Sequence, residues 1–453
     1  MHGDALKRGP WFRCAGCEVL VGAVAYPFRC PAARAGDDLD HLVVPVPPDD
    51  ARWPGPASAG APDQPFIRYR SLLSAWRLAL SRGFTDDDYL QLADELDAAV
   101  TGVDGHGFIA TPFLQQPALA SRLGVEGGGE RCVKDETGNV SGSHKARHLF
   151  GVMLYLLVAE RAGILANRPP LAIASCGNAA LAAAVVARAA DWPLDVFVPP
   201  AANDVVLARL ESLGARITTC QRQAGVAGDP CYLSFKAAVA NGALPFCCQG
   251  SDNGLTIEGG ETLAWEMVEQ LGAGRGQPFL ASIFVQVGGG ALASAVIQGF
   301  GVACRMGLIN RVPSLFTVQT AGAYPLARAC EAVAERARRT GVDEALAYAR
   351  THRSQFMWPW EQEPRSIAHG ILDDETYDWA AVVEGMIRTG GRPVVVDEAR
   401  LRDANTLARS LTGIDVDHTG SAGLAGLIDA LRGEPARRRA RVAVIFSGIR
   451  RSA

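Results

Sequence analysis

The stretch RCVKDETGNVSGSHKARHL, residues 131–149, contains two of the only four lysines in a chain of 453 residues. The four are Lys7, Lys134, Lys145 and Lys236, whereas arginine carries nearly all of the positive charge. Arginine keeps its proton in proteins and cannot act as an amine nucleophile. Covalent amine chemistry in this protein therefore has to use one of these four residues.

Lys145 differs from the other three lysines in its predicted surroundings. It follows the Ser141–Ser143 turn and opens a predicted apolar helix, ARHLFGVMLYLLVAERAG. Burial and the positive helix N-terminus both disfavour a protonated ammonium there, and both help an amine to attack an aldehyde. The alternative is a lysine whose stem packs on the surface and whose amine reaches solvent. Lys7 lies in a polar N-terminal segment, Lys134 in a short predicted strand and Lys236 in a predicted solvated helix.

The composition is that of a large globular protein, with 48% hydrophobic and 20% charged residues. A chain of this length can form two lobes and an extension. The net charge of -4 argues against a nucleic-acid partner, and the absence of a long uncharged apolar run argues against a membrane span. The N-terminus lacks the apolar core of a signal peptide, and the eleven cysteines are scattered, so we expect a cytoplasmic protein.

The first 60 residues are interpreted as an N-terminal extension with a degenerate zinc ribbon followed by a linker. Its candidate metal ligands are Cys14, Cys17 and Cys30. A zinc ribbon needs a fourth ligand, but the expected position is Ala33, which leaves His41 or Asp38 as substitutes. The alternative is a ribbon that still packs but binds no metal. The stretch from Pro45 to Pro65 is rich in Pro, Ala, Asp and Gly and is typical of a linker.

Most of the remaining chain predicts alternating strands and helices. Residues 66–130 are expected to be mostly helical, with Thr85 as the N-cap of a helix that begins with three aspartates. From Leu171 onward, short apolar runs alternate with helical segments, and a second such series starts near Glu258. The predicted strands are LAIAS, PLDVFVPP, ARITTC, SIFVQV, LFTVQT, RPVVVD and RVAVIFSG. This alternation predicts parallel sheets with helices on their faces.

Two glycine turns, each between a strand and a helix, are candidate anion sites. Ser175–Asn178 has the sequence SCGN, and Gly288–Leu292 has the sequence GGGAL. Exposed backbone amides at the start of a helix bind carboxylate or phosphate groups. Seen alone, each turn is equally well explained by close packing between helix and strand. Together with a lysine they supply what pyridoxal phosphate needs: an amine, a phosphate cradle and a clamp for an amino-acid carboxylate.

At this point the chain resembles the fold-type II pyridoxal-phosphate enzymes, especially the threonine synthase and threonine/serine dehydratase group, over roughly residues 100–450. Ser143–Arg147 is similar to the family's Ser-x-Lys-x-Arg, in which the lysine forms a Schiff base with the cofactor. Lys134–Glu136 resembles the lysine/glutamate strand before it, and Glu258–Thr262 the Glu-Gly-x-x-Thr helix start. The N-terminal cysteines resemble the ribbon found ahead of some threonine synthases.

The resemblance also implies roles for the turns and for a late serine. The implied cofactor-binding residues are Lys145, Asn178, Gly288, Gly289, Gly290, Ala291, Leu292 and Ser447. The implied substrate-binding residues are Ser175, Gly177, Asn178 and Ala179. Asn178 is expected to contact the phenolic oxygen of the cofactor. Ser447 is expected to hydrogen-bond its pyridine nitrogen, which then stays unprotonated and suits elimination and replacement better than transamination.

Two residues depart from the family pattern at the site itself. His144 stands where relatives carry an aromatic residue, directly before the lysine. Cys176 stands where relatives carry small or polar residues. A thiol there can move a proton on the face opposite Lys145, which makes Cys176 a second catalytic candidate. The alternative is a small buried cysteine without a chemical role.

The resemblance implies an α/β fold of two lobes, similar to the β subunit of tryptophan synthase, with open twisted sheets and helices on both faces. We expect a large cofactor-binding domain over 61–167 and 256–453, and a small Rossmann-like domain over 168–255. The expected function is a lyase that removes the α-proton of a small amino acid and eliminates its β-substituent. The alternatives are a threonine synthase-like or β-replacement synthase and a non-catalytic relative. A homodimer is expected by analogy.

Overall fold

The computed structural model describes residues 11–22, 28–34, 36–46, 51–55, 63–222, 228–272 and 279–451. Lys7 and residues 47–50 and 56–62 of the predicted linker lie outside this part. Within it, the strands are β1 (Phe12–Cys14), β2 (Leu20–Val21), β3 (Val43–Pro45), β4 (Phe113–Gln115), β5 (Glu130–Asp135), β6 (Leu171–Ala174), β7 (Leu194–Val198), β8 (Arg216–Thr219), β9 (Leu244–Pro245), β10 (Ser282–Gln286), β11 (Ser314–Thr320), β12 (Arg392–Val396) and β13 (Arg441–Phe446).

The described helices include every helical segment predicted from the sequence. They are α1 (Pro65–Arg68), α2 (Ser74–Ser81), α3 (Asp86–Asp104), α4 (Pro117–Arg122), α5 (Lys145–Arg161), α6 (Asn178–Ala189), α7 (Asp204–Ser212), α8 (Pro230–Ala240), α9 (Thr256–Gln270), α10 (Ala291–Arg305), α11 (Pro325–Thr340), α12 (Val342–Thr351), α13 (Trp379–Thr389), α14 (Glu398–Thr412) and α15 (Ala422–Gly433). Thr85 caps α3 as predicted, in a reciprocal capping box with Asp88. None of the described helices combines the length and apolar character that a membrane-spanning segment requires.

The strands form three sheets. The largest has the order β12-β11-β10-β13-β5-β4, in which only β4 runs antiparallel to its neighbour. A second sheet has the order β8-β7-β6-β9 and is entirely parallel. A small antiparallel sheet, β2-β1-β3, belongs to the N-terminal extension. The predicted α/β class is therefore confirmed, whereas the exact domain boundaries stay a prediction.

Helices cover both faces of the largest sheet because its central strands are apolar on both sides. On β10, Ile283 and Val285 pack in one core cluster with α10 and α13, whereas Phe284 packs in another with α15. A parallel strand buried on both faces needs this continuous apolar pattern. The last strand, β13, inserts between β10 and β5, so Phe446 pairs with Asp135. This pairing brings the residue after β13 beside the turn that leads to Lys145.

Candidate active site

Lys145 is the first residue of α5 and follows a 3-10 turn, Val140–Gly142. The turn is tight because Ser141 and Gly142 have φ of 55° and 71°, in the left-handed region that glycine adopts most easily. The lysine is half-buried, and within the described part of the chain its amine has no hydrogen-bond or ion-pair partner. A half-buried amine without a counter-ion is available for covalent chemistry.

The other described lysines are engaged elsewhere. Lys134 is completely buried, and its Nζ lies 2.5 Å from Glu266 Oε2. It also donates to the backbone oxygen of Thr111 at 2.6 Å. Lys236 is 40% exposed and lies 3.4 Å from Asp252. Among the described lysines, Lys145 is thus the one left unpaired, which agrees with the choice made from the sequence.

A buried ion-pair network fixes the first turn of α5. Arg147 is fully buried, with its Nε 2.8 Å from Glu136 Oε2 and its Nη1 2.5 Å from Glu266 Oε1. Burial would raise the pKa of the Glu266 carboxyl, but the charges of Arg147 and Lys134 hold it below its usual value. The arginine of the Ser-x-Lys-x-Arg pattern and Glu136, the residue after β5, therefore hold one helix turn in place.

Glycines let α9 press directly against this turn. A Cβ on Gly259 would overlap the backbone oxygen of Arg147, and a Cβ on Gly260 would overlap the His148 ring. Thr262 accepts a hydrogen bond from Arg147 Nη1 at 3.1 Å and donates to Gly259 O at 2.8 Å. The Glu-Gly-x-x-Thr pattern is therefore explained by close helix packing behind the lysine.

Ser447 contacts the residue before α5, and the next residue, Gly448, lies beside Asn178. The backbone N–H of His144 donates to Ser447 Oγ at 3.0 Å, and the His144 Nδ1 lies 2.5 Å from the same oxygen. A Cβ built on Gly448 would lie 3.0 Å from the side-chain nitrogen of Asn178. The structure thus brings the lysine turn, the late serine and the asparagine together, although they lie far apart in sequence.

The Ser175–Asn178 turn of the second sheet lines the same region. Its predicted substrate-binding residues, Ser175, Gly177, Asn178 and Ala179, are all half-buried. The helix α6 begins at Asn178 without a side-chain cap, and the space beyond Gly177 is open for at least 4 Å. Uncapped amides at a helix start beside open space can receive an anionic group. The geometry is compatible with the predicted carboxylate clamp.

Cys176 is half-buried in this turn, and its surroundings favour the protonated thiol. Burial raises its pKa, and the nearby carboxylates of Asp229 and Asp373 raise it further. A thiol in this state can donate a proton but cannot act as a base at neutral pH. The raised pKa disfavours a thiolate at Cys176, and its catalytic role stays a prediction.

The Gly288–Leu292 turn precedes α10, whose N-terminus also lacks a side-chain cap. Gly290 is the N-cap and has a φ of 98°, which a residue with a Cβ rarely adopts. The segment 373–378 forms the opposite wall, where Thr376 Oγ1 donates to Gly288 O at 2.9 Å and Asp378 N donates to Gly289 O at 3.1 Å. The start of α10 thus offers uncapped amides, with Ala291 and Leu292 in the first helical turn, although the Gly289 N–H donates to Asp373. The role of this turn as a phosphate cradle stays a prediction.

Two acids in this wall were not predicted from the sequence. Asp373 lies so close to the cradle that a Cβ on Gly288 would overlap its Oδ2. Burial raises its pKa to about 6, and the charge of Lys145 counteracts the shift. Asp378 is fully buried, and burial raises its pKa to about 7. Their run, LDDETYD, resembles an ordinary acidic helix start, so only the spatial proximity to Lys145 indicates their importance.

The N-terminal cysteines form a separate candidate metal centre. One donor atom from each of Cys14, Cys17, Cys30 and His41 lies within 4.8 Å of all the others. The Cys17 and Cys30 sulfurs are 3.5 Å apart, and Cys14 Sγ lies 3.4 Å from His41 Nδ1. The other ring nitrogen of His41 lies 3.1 Å from Asp37. The other proposed substitute, Asp38, instead accepts hydrogen bonds from Ser354.

These residues fit pyridoxal phosphate at four points. Lys145 offers an unpaired amine, and the start of α10 offers uncapped amides behind three glycines. Ser447 is 3% exposed and its hydroxyl contacts His144, directly before the lysine, and the turn before α6 borders open space. Asp373 and Asp378 are unfavourable neighbours for a phosphate, and their raised pKa values reduce their charge at low pH.

Comparison with known proteins agrees with this geometry. Residues 106–448 match the family described as pyridoxal-phosphate dependent enzyme, which confirms the resemblance inferred from the sequence. The threonine synthase of Mycobacterium leprae is 25% identical over 326 residues, which are 71% of this chain and 76% of that protein. The L-serine dehydratase of Saccharomyces cerevisiae is 30% identical over 197 residues, covering 42% of this chain and 55% of the dehydratase.

Solved structures share the fold. The processed form of threonine deaminase isoform 2 from Solanum lycopersicum superposes with a TM-score of 0.57 at 17% identity, covering 82% of this chain and 92% of that chain. Maize serine racemase gives a TM-score of 0.56 at 18% identity, covering 80% and 95%. The expectation of a fold-type II architecture is therefore confirmed.

Proposed function

We propose a lyase function for this chain, which belongs to the pyridoxal-phosphate-dependent enzyme family. Its substrate is a small amino acid from which it removes the α-proton and a β-substituent. The observation that carries the proposal is that the unpaired Lys145 follows directly after His144, which is bonded to Ser447, and that Asn178 lies beside Gly448. A structural lysine at a helix start has no need of a buried serine hydroxyl and an amide beside it.

The chain's own residues divide the work. Lys145 provides the amine that binds the cofactor and, once free, takes the proton from the substrate α-carbon. The amides from Ser175 to Ala179 bind the substrate carboxylate, and those from Gly288 to Leu292 bind the phosphate. When bound, the cofactor stores the electron pair left on the α-carbon. Cys176, in the turn before α6, holds a proton and donates it to the departing group.

The relatives support elimination, with a synthase as the second candidate. A serine dehydratase and a threonine synthase are both similar to this chain in sequence. The Gly-Gly-Gly cradle favours the dehydratase-like reaction, because its sequence resembles the phosphate-binding turn of the dehydratases. The clustered cysteines of the N-terminal extension favour the synthase-like one. We place elimination first.

The test begins with purified protein to which pyridoxal phosphate is added. Wild type is expected to develop the visible absorption of a lysine-bound aldehyde, and Lys145→Ala to lose it. Lys236→Ala is the matched control, because the side chain of that lysine is exposed and pairs with Asp252. The two activities are separated by measuring keto acid from serine and threonine against phosphate from O-phosphohomoserine. Absence of the absorption in wild type would contradict the proposal.

We also propose that the N-terminal cluster binds one zinc ion through Cys14, Cys17, Cys30 and His41. Tetrahedral zinc with S and N ligands places neighbouring donor atoms about 3.5–3.8 Å apart, close to the 3.4 and 3.5 Å found between two donor pairs. Asp37 holds the second His41 nitrogen, as carboxylates do for metal-bound histidines. The expected result is one zinc per chain by elemental analysis, lost in His41→Ala but retained in Asp38→Asn. Zinc-free wild type purified without chelator would contradict it.

The remaining expectations are part of this proposal. We place the small lobe at 168–255 and the large lobe at 61–167 and 256–453, because the parallel sheet β8-β7-β6-β9 falls entirely within the first range. We propose a cytoplasmic homodimer, by analogy with the family. Sedimentation of the purified protein tests the dimer, and cell fractionation tests the location.

A further inference from the structure

The hydroxyl of Ser447 has an unusually complete set of donors. Its oxygen accepts the backbone N–H of His144 at 3.0 Å, and the Nδ1 of the same residue lies 2.5 Å away. Ser447 is 3% exposed and His144 is 8% exposed, so water does not compete for this contact. Within the described part of the chain, these are the only hydrogen-bond partners of the hydroxyl.

The direction of the second hydrogen bond follows from the other ring nitrogen. The Nε2 of His144 is buried and has no hydrogen-bond partner among the described residues. Burial, together with the charge of Lys145, lowers the pKa of His144 well below its usual range, so the ring is neutral and carries one proton. A buried N–H without a partner is rarer and more costly than an unused lone pair. The proton therefore resides on Nδ1, which donates to Ser447.

Both lone pairs of the serine oxygen are then occupied, and only its hydrogen is left to make a bond. A hydroxyl has one donor and two acceptor positions. Ser447 can therefore act toward a third group only as a donor. This distinguishes it from an ordinary serine, whose hydroxyl rotates between donating and accepting.

The backbone holds Ser447 in place independently of the imidazole. The Ile449 N–H donates to Gly142 O at 2.9 Å, and β13 pairs with β5 up to Phe446 and Asp135. A Cβ on Gly142 would overlap the Ile449 side chain, so the two segments are in close contact. Exchange of the His144 side chain should thus change the hydroxyl's hydrogen bonding without moving the serine.

We propose that His144 is a positioning residue that locks the Ser447 hydroxyl as a donor to the pyridine nitrogen of the cofactor. The inference rests on the proposed function, and it deepens it. A nitrogen that only accepts a hydrogen bond stays unprotonated, which weakens the cofactor as an electron sink. The lock therefore favours elimination and disfavours reactions that need a protonated ring, such as transamination.

The experiment uses holoenzyme loaded with pyridoxal phosphate labelled with ¹⁵N in the ring. Wild type is expected to give the resonance of an unprotonated, hydrogen-bonded pyridine nitrogen at every pH at which the protein is folded. His144→Phe removes the side-chain donor and frees one lone pair of Ser447, so the resonance should shift toward the protonated position as pH falls. His144→Asn keeps an N–H at a similar place and should restore the wild-type resonance.

A second comparison separates positioning from a general structural effect. In a Ser447→Ala background, His144→Phe should leave the nitrogen resonance unchanged, because the group through which it acts is absent. Identical resonances in wild type and His144→Phe, or an equal change in the Ser447→Ala background, would overturn the inference. Failure of wild type to bind the cofactor at all would instead contradict the proposed function.

Discussion

Arg147 and Glu136 form a completely buried ion pair, with Nε 2.8 Å from Oε2. Arg147 comes two residues after Lys145, the lysine that we assign to the cofactor. The pair ties the first turn of α5 to the segment that follows β5. Its partner acid on α9, Glu266, completes the contact from the other side. The position of Lys145 at the start of α5 therefore depends on buried charges that are not screened by solvent.

Breaking this network is expected to cost far more than breaking an ion pair at the surface. Glu136→Gln leaves the Arg147 guanidinium buried with less compensating charge, and we expect a loss of about 3–5 kcal/mol in the free energy of unfolding. Glu160→Gln is the matched control, since Glu160 pairs with Arg168 where the side chains are 29% and 34% exposed. Its expected loss is below about 1 kcal/mol. Urea unfolding of both variants measures the difference, and equal losses would contradict the role assigned to the network.

Glu258 should make stability depend on pH. It is 7% exposed, and burial raises the pKa of its carboxyl to about 7, although Ser74 donates two hydrogen bonds to it. Its folded-state pKa is above the unfolded value, so the folded protein binds the extra proton between these two pKa values. Stability contributed by this group is therefore present at low pH and is lost as pH rises toward 7.

Glu258→Gln isolates that effect because glutamine keeps the acceptor oxygen for Ser74. We expect the variant and wild type to be equally stable near the unfolded pKa, and the variant to be more stable above pH 7 by roughly 3 kcal/mol at most. Unfolding curves at several pH values provide the measurement. A constant difference between the two proteins at all pH values would show that the carboxyl does not titrate as proposed.

Removal of metal is expected to destabilise the N-terminal extension and the segment around Arg353 and Ser354, which the extension contacts. Asp38 accepts two hydrogen bonds from Ser354, and Asp40 lies 3.6 Å from Arg353. Zinc that binds only the folded state, at one hundred times its Kd, stabilises by about 2.7 kcal/mol. A chelator should therefore lower the melting temperature of wild type. It should leave His41→Ala unchanged, and an equal effect on both proteins would mean that the chelator acts elsewhere.

Cys176 is expected to act as an acid. Cys176→Ala should lower kcat for elimination by about 10²-fold, the lower range for loss of a general acid, while the cofactor absorption is retained. Cys231→Ala is the control, since that buried cysteine lies on α8 and has no role in the proposed chemistry. Rates within about threefold of wild type, below the range expected for a catalytic acid, would identify Cys176 as a small packing residue.

The parts of the site that are local in sequence could be predicted from the sequence. Lys145 was identifiable because lysine is scarce and because a turn and an apolar helix surround it. The two glycine turns were identifiable as candidate anion sites because each lies between a strand and a helix and because they occur together with a scarce lysine. The alternation of strands and helices likewise predicted the α/β class, since periodicity is a property of neighbouring residues.

The sequence left open every choice that depends on residues distant in the chain. It offered His41 and Asp38 as equal fourth ligands, and the structure places His41 in the cluster and Asp38 on Ser354. It assigned Ser447 to the cofactor but contained no sign that His144 reaches its hydroxyl. It gave no role to the acids Asp373 and Asp378, which the structure packs against the glycine cradle.

The physical reason is that composition and local pattern determine secondary structure, whereas strand order determines which ends of the strands meet. The sequence by itself determined the lysine, the glycine turns and the fold class. Only the tertiary structure decided that β13 lies beside β5, which places Ser447 against His144. It also decided which charges are buried together, because burial and pairing are properties of the packed chain and not of any one segment.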